Sequence, residues 1–449
     1  MTSENLNILE AVEFDDSISS YQYIEKEADQ GANLNAQNDI IITFENRDAW
    51  LLPSKSYLLI EGTIQSNAGA DLLDANGASR AFVNNGLMFL FSNCKYFLGG
   101  QQIEYFDSAG VTTTIHNLLT RSKTYQGLEW MWQPDSFINE ASNSNSGWAK
   151  RHIYLNPVAN RWEFSCTMPL NAIFNFCNDY TKTLYGMQHR ISLNRTDSRR
   201  ALFRAAGGLG GIGKYPAILV GAGPLLPDTI VNLTNMRWAM PIITPSVDSL
   251  TSLLPIIKDQ IPLKLAFLNK TSGYITVPQS TLFTWSLRMT SGIQKARYFV
   301  IGFQTARGVD QLTNSASFDV ARNVLNVREA YLTLNGIRYP YANVGTDLAT
   351  NKYAKWYYNY VEFFNKYHNY NGSEPCLSYL DFINCYPLYV FDVSHQSEQQ
   401  KMSTIDAQLQ MTFSANAPAD TQAFCVFYFD SLYQLTGDDK NQVINFINY

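Results

Sequence analysis

Apolar residues in this chain gather in short runs broken by turn formers. DIIITF (Asp39 to Phe44) and YLLIEGTI (Tyr57 to Ile64) are rich in β-branched side chains and lie either side of a turn containing Pro53 and Ser54, a pattern that predicts strands. LMFLFSNCKYFL (Leu87 to Leu98) runs into Gly99-Gly100 and continues as QQIEYF. A type I′ turn needs positive φ at both central residues, which glycine adopts without strain, so this stretch predicts a hairpin. TTTIHNLLTRSKTYQG (Thr112 to Gly127) follows as a helix: threonines serve as the N-cap, Ile115, Leu118 and Leu119 share one face, and Gly127 is the stop. After a polar loop bearing Trp130 and Trp132, strands resume at WEFSCTMPL and RISLNR.

The second half repeats this order. PLKLAFL, TLFTWSLRM and ARYFVIGFQT predict strands, and REAYLTL then passes through Asn335-Gly336, a strong short hairpin signal, into IRYPY. NKYAKWYYNYVEFFNKYH predicts a helix whose apolar face carries Tyr353, Trp356, Tyr357, Tyr360, Val361, Phe364 and Tyr367. FINCYPLYVFD, IDAQLQMTFSA and AFCVFYFDSLYQL complete the set of strand candidates. Leu98-Gly99-Gly100 falls on Leu334-Asn335-Gly336, and Met168-Pro169-Leu170 on Tyr386-Pro387-Leu388. Between the halves, the Gly- and Pro-rich stretch from Ala205 to Asp228 marks a boundary. The expected organisation is an acidic N-terminal arm over 1–30, a first lobe over 31–215, a linker over 216–235, a second lobe over 236–435 and a C-terminal tail over 436–449. The expected fold class is all-β: two tandem eight-stranded antiparallel jelly-roll sandwiches, a double jelly roll, with short inserted helices.

Composition agrees. Of 449 residues, 14% are aromatic and only 16% charged, the profile of a β-rich globular chain. A net charge of -6 argues against a surface whose main work is neutralising phosphates, so no strong direct nucleic-acid binding is expected. Acids crowd the first 30 residues, where Lys26 is the single base, and this arm is expected to be mobile until bound. Arg190, Arg195, Arg199, Arg200 and Arg204 form a basic stretch interrupted by Asp197, read as a solvated loop with an interface as the alternative. Cys94, Cys166, Cys177, Cys376, Cys385 and Cys425 show no CxxC pair or dense framework, which suggests reduced thiols inside a cell. No signal peptide or bilayer-spanning run is read, so the sequons at Asn194, Asn232, Asn269 and Asn371 are expected to stay unmodified.

Candidate chemistry is sparse. Gly208, Gly213 and Lys214 fit G-x-x-x-x-G-K, but Tyr215 replaces the Ser or Thr that would ligate magnesium, and a strand rather than a helix is expected next. His116, His152, His189, His368 and His395 form no local ligand pair, and GxSxG is absent. Tyr125, Trp130 and Trp132 offer an aromatic platform for a sugar or base, with packing as the competing role. The sequence nominates no catalytic, cofactor-binding or metal residue, and the chain is expected not to be an enzyme.

Several stretches, taken in order, carry a family resemblance: SISSYQYIEKEADQG with LLPSKSYLLIEGTI, LMFLFSNCKYFLGGQQIE, MRWAMPIITPS (Met236 to Ser246), FTWSLRMTSGIQKARYFVIGFQTAR, VREAYLTLNGIRYPY and PLYVFDVSHQSEQQK. With them the chain resembles the double jelly-roll major capsid proteins of Polinton (Maverick) elements, adintoviruses and virophages, a lineage shared with adenovirus hexon. MRWAMPIITPS resembles the opening of that family's second barrel. The resemblance implies a structural virion protein, made inside the host cell, whose homotrimers form pseudo-hexameric capsomers of an icosahedral shell. It also implies contacts with neighbouring capsomers and minor capsid or penton proteins, and termini free to reach them. Two rival readings are a double jelly-roll hydrolase, which needs converging acids between the lobes, and a carbohydrate- or receptor-binding module built on Trp130 and Trp132.

Overall fold

A computed structural model describes residues 17–29, 33–45, 48–66, 80–136, 146–158, 161–204, 229–258, 262–287, 296–304, 314–318, 325–340, 345–347, 350–395, 406–438 and 441–446. The principal strands of the first lobe are β1 (Ile18–Glu27), β2 (Asp39–Phe44), β3 (Tyr57–Ser66), β4 (Phe91–Leu98), β5 (Gln101–Asp107), β6 (Arg161–Pro169), β7 (His189–Arg195) and β8 (Thr229–Pro245). Those of the second are β9 (Leu263–Thr276), β10 (Leu282–Leu287), β11 (Ala296–Gln304), β12 (Val327–Leu334), β13 (Ile337–Tyr339), β14 (Tyr389–Asp392), β15 (Ala407–Phe413) and β16 (Gln422–Asp438). In the first lobe the pairing orders are β1-β8-β3-β6 and β2-β7-β4-β5. In the second they are β9-β16-β11-β14 and β10-β15-β12-β13, all antiparallel. Adding eight to each label converts one set into the other, so each lobe is a jelly roll and the chain is a double jelly roll.

The sandwiches form because alternate strand residues face inward. In β2, Ile40, Ile42 and Phe44 are buried, as are Leu58, Ile60 and Ile64 of β3. Phe44 meets Trp238 of the opposite sheet edge-to-face at 4.9 Å, and in the second lobe Phe303 of β11 meets Phe413 of β15 in the same way at 5.8 Å. Each fully buried side chain of this size contributes about 1.5–3 kcal/mol relative to exposure. Both hairpins are present: Gly99 and Gly100 adopt φ of 57° and 85°, and Asn335 and Gly336 adopt 46° and 84°.

The helices α1 (Ala109–Thr120) and α5 (Ala354–Tyr367) follow β5 and β13, so both lobes carry the same insertion. The remaining helices are α2 (Ser146–Tyr154), α3 (Asn175–Asp179), α4 (Val247–Lys258) and α6 (Tyr379–Cys385). Whereas α5 has the expected buried face of Trp356, Tyr360 and Phe364, α1 is buried at all twelve positions because it lies between the lobes. Its threonines are internal, Thr113 and Thr114 donating back to Ala109 and Gly110, and it ends at Thr120 rather than Gly127. FINC is not strand but the last turn of α6.

Strand pairing departs from the expected boundaries in three places. Ile18–Glu27 is no arm: it pairs with Arg237–Pro245, where Arg237 answers Glu25 and Glu27 at 3.3 and 3.2 Å, so the acidic charge does not oppose the strand. The MRWAMPIITPS stretch belongs mostly to β8, which closes the first lobe instead of opening the second. Its apolar run is long because β3 covers one part and β1 the other. The crossing between lobes therefore contains α4, and the expected linker 216–235 lies partly in β8 and partly outside the described residues. Finally, Asn441–Phe446 does not extend away as a tail but pairs back onto Tyr433–Asp438. The Met168-Pro169 and Tyr386-Pro387 stretches do mark equivalent strands, at opposite ends: the first closes β6 and the second precedes β14.

Candidate functional surfaces

The candidate residues read from sequence are dispersed. His189 on β7 is fully buried and hydrogen-bonds through Nδ1 with the Tyr96 hydroxyl at 2.8 Å, and burial pushes its pKa down to about 3. Burial likewise holds His116 well below the usual histidine range, with Lys270 and Arg121 adding to the effect. His152 stacks on Trp148 at 5.1 Å, His368 Nε2 sits 2.6 Å from the Thr120 carbonyl, and His395 is exposed. Among the described residues no group of three or more His, Cys, Asp or Glu side chains is placed to hold a metal ion. None of the six cysteines is in a disulfide, and burial raises the Cys376 thiol to about 12, so it is not a ready nucleophile.

Trp130 and Trp132 stack at 5.3 Å, 0% and 1% exposed, with Tyr125 packed on Trp130. A Cβ at Gly127 would lie 2.7 Å from Trp130 Nε1 and 2.8 Å from Trp132 Cβ, so this turn closes over the pair only with glycine. The aromatic platform faces the interior, and the binding-module reading loses its residues. The basic stretch is also engaged internally: Arg190 covers Phe97, Arg195 is 4% exposed and donates to the Leu90, Thr196 and Val231 carbonyls, and Arg199 pairs with Asp197 at 2.5 Å. The side chain of Arg204 and the loop holding Gly208, Gly213 and Lys214 lie outside the described residues. Of the sequons, Asn269 is buried and donates to the Ile103 carbonyl at 2.9 Å.

The densest chemistry lies where the lobes meet. Glu104 on β5 and Lys270 on β9 form an ion pair of 2.8 Å with neither side chain exposed. Glu104 also accepts from the amides of Asn175 and Phe176 at 3.0 Å each. Lys270 donates further to the Ile173 carbonyl and Asn175 Oδ1, both at 2.7 Å, and lies 4.6 Å from the Phe106 ring centroid. A second buried pair, Arg151 with Asp135 at 2.7 Å, reaches the other lobe through Asn314 at 2.7 Å and Tyr386 at 3.3 Å. Buried ions survive only when each is paired and its remaining sites are hydrogen-bonded, as here. These carboxylates are neutralised by fixed cations and do not make an acid/base couple. Sequence reasoning missed this network, because its partners are far apart along the chain and single charged residues within apolar strands are its only signal.

A cleft of about 600 Å³ opens between the lobes, lined by residues including Phe91, Asp107, Asp197, Arg200, Tyr274 and Phe424. Burial pushes Asp197 up, but hydrogen bonds and charge from Arg199, with the charge of Arg200, outweigh it and hold the carboxyl below its usual range. No helix among the described residues is long and apolar enough to cross a membrane.

The tandem of jelly rolls, with its buried ion pairs between them, also emerges from comparison with known proteins. Residues 220–433 match the family model of the double jelly roll-like domain. A chain from the 3.5 Å structure of the Sputnik virophage superposes with a TM-score of 0.64 at 10% identity, covering 99% of this chain and 92% of that one. The mavirus major capsid protein gives 0.55 at 12% identity, covering 100% and 94%, and the Faustovirus major capsid protein 0.53 at 9%, covering 96% and 93%. Comparison of the sequence with curated proteins gives no match. The likeness to the three structures extends over both lobes, and the fold is the double jelly roll of that viral type.

Proposed function

We propose that this chain is the major capsid protein of a virus, or of a virus-derived element, and that three copies associate into a pseudo-hexameric tile of an icosahedral shell. The observation that carries the reading is the duplication itself: one chain holds two sandwiches of identical strand order, joined by a junction that contains two buried, hydrogen-bonded ion pairs. Two such lobes fixed to one another give a trimer six similar corners, the symmetry a hexagonal lattice position needs. The superposition on the mavirus and Faustovirus major capsid proteins over both lobes supports it. In this role the work is done by lateral surfaces, the chain is no enzyme, and its partners are further copies of itself and the minor proteins of the virion. An acidic chain leaves genome neutralisation to another protein.

Size-exclusion chromatography with light scattering on the full chain, followed by negative-stain electron microscopy, tests the reading. Trimers with a six-cornered outline are expected. A chain that stays monomeric across a wide concentration range overturns it.

A further inference from the structure

The junction between the lobes is head-to-tail. β5, the fifth strand of lobe one, is the edge of its sheet, and β9, the first strand of lobe two, is the edge of its own four-strand order. They meet without forming a ladder: side chains of β9 satisfy the edge carbonyls of β5, Asn269 donating to Ile103 at 2.9 Å and Ser272 to Asp107 at 2.7 Å. Ile103 is open to this contact because a bulge between Tyr96 and Phe97 leaves it outside the β4–β5 register.

Because both lobes repeat one strand order, this pair of surfaces has a counterpart: β13, the fifth strand of lobe two, and β1, the first strand of lobe one. A contact between unlike surfaces propagates, and it closes into a ring when the rotation per step allows. The occupied pair is buried, with Ile103 at 2%, Phe106 at 0% and Leu265 at 0% exposure. The counterpart is not: Tyr21, Tyr23 and Ile24 of β1 are 44%, 45% and 36% exposed, and Ile337 of β13 is 46%. Among the described residues β1 is hydrogen-bonded as a strand along one side only, to β8. A ten-residue strand edge with four exposed apolar or aromatic side chains, Ile18, Tyr21, Tyr23 and Ile24, invites pairing unless something covers it.

We propose that β1 of one copy docks against β13 of a second copy, repeating between chains the contact that β9 and β5 make within one. This rests on the reading of the chain as a self-assembling capsid protein and names the surface through which the copies join. Three such contacts alternating with three internal junctions close a ring of six lobes.

The test uses the full chain carrying Tyr21→Cys and Ile337→Cys together, treated with a flexible bismaleimide, with each single variant as control. Covalent dimers and trimers are expected from the double variant and not from the singles. In parallel, Ile24→Asp is expected to weaken trimer formation at least tenfold, whereas Ile153→Asp, on the 79% exposed position of α2, has no effect. Tyr21→Lys is the second β1 variant, used if the circular dichroism of Ile24→Asp departs from that of the unmodified chain. Trimers that survive the folded β1 variant, or that leave the cysteine pair unlinked, overturn the assignment of this surface and leave the capsid reading standing. A parent chain that never leaves the monomer overturns both.

Discussion

His189 is a residue whose surroundings decide its charge. It pairs across β7 with Leu98 and Phe44, touches Tyr96, and is fully enclosed. The unfolded chain protonates this imidazole near pH 6.5 and the folded chain only near 3, because burial disfavours the cation. Below pH 6.5 the unfolded state therefore binds more protons, and stability falls as pH drops towards 3. It is unaffected by this group above 6.5. His189→Gln keeps a hydrogen-bonding partner for Tyr96 and removes the titration. In chemical denaturation compared at pH 7 and pH 4.5, the parent chain is expected to lose about 2 to 3 kcal/mol more than the variant. Equal losses would show that the imidazole is charged in the folded state or reaches water.

Among the elements, the two hairpins bear most directly on the duplication, and they were legible because backbone strain writes itself into residue type. Nothing lies within 4 Å of a Cβ added at Gly100 or Gly336, so space does not demand glycine there; φ of 85° and 84° does. Gly100→Ala and Gly336→Ala should each cost about 1–2 kcal/mol, read as a fall in the thermal midpoint, with no change in the β-sheet circular dichroism signal. A much larger loss at one site would mean that its turn does more than reverse the chain. β2 and β3 were legible for a similar reason, since strict alternation of buried and half-buried positions survives in their sequence. α1 as a buried-all-round helix was not, because periodicity reports a helix by its exposed face and α1 has none. β1 reads as an arm for the opposite reason: nine of its ten residues are exposed, so its composition is that of a solvated segment, and although SISSYQYIEKEADQG carries part of the family resemblance, it is the register with β8 that makes it a strand of the first lobe. The site was the least legible part, since Trp130 and Trp132 resemble a binding platform until the fold turns them inward.

At the scale of the whole molecule, the proposed role in a shell requires the two sandwiches to be held at one fixed angle, since a loose hinge between them could not specify a lattice. Apolar contact alone is tolerant of sliding, whereas a buried ion pair is costly in every arrangement but the one that satisfies it. Glu104 and Lys270 are such a pair, one from each lobe, and Glu104 is held further by the two amides that open α3. Lys270→Met leaves that carboxylate enclosed and without its cation, which should cost about 3–5 kcal/mol. The cost falls on the junction and not inside either sandwich, so calorimetry should resolve two melting transitions in the variant where the parent chain shows one. Adding Glu104→Gln should recover part of the loss by removing the stranded charge, though not all of it, because the amide side chain offers one acceptor oxygen where two backbone N–H groups need two. If Lys270→Met melts as a single transition at the parent temperature, the angle between lobes is set by the apolar packing of α1 against α5 and the ion pair is incidental to it.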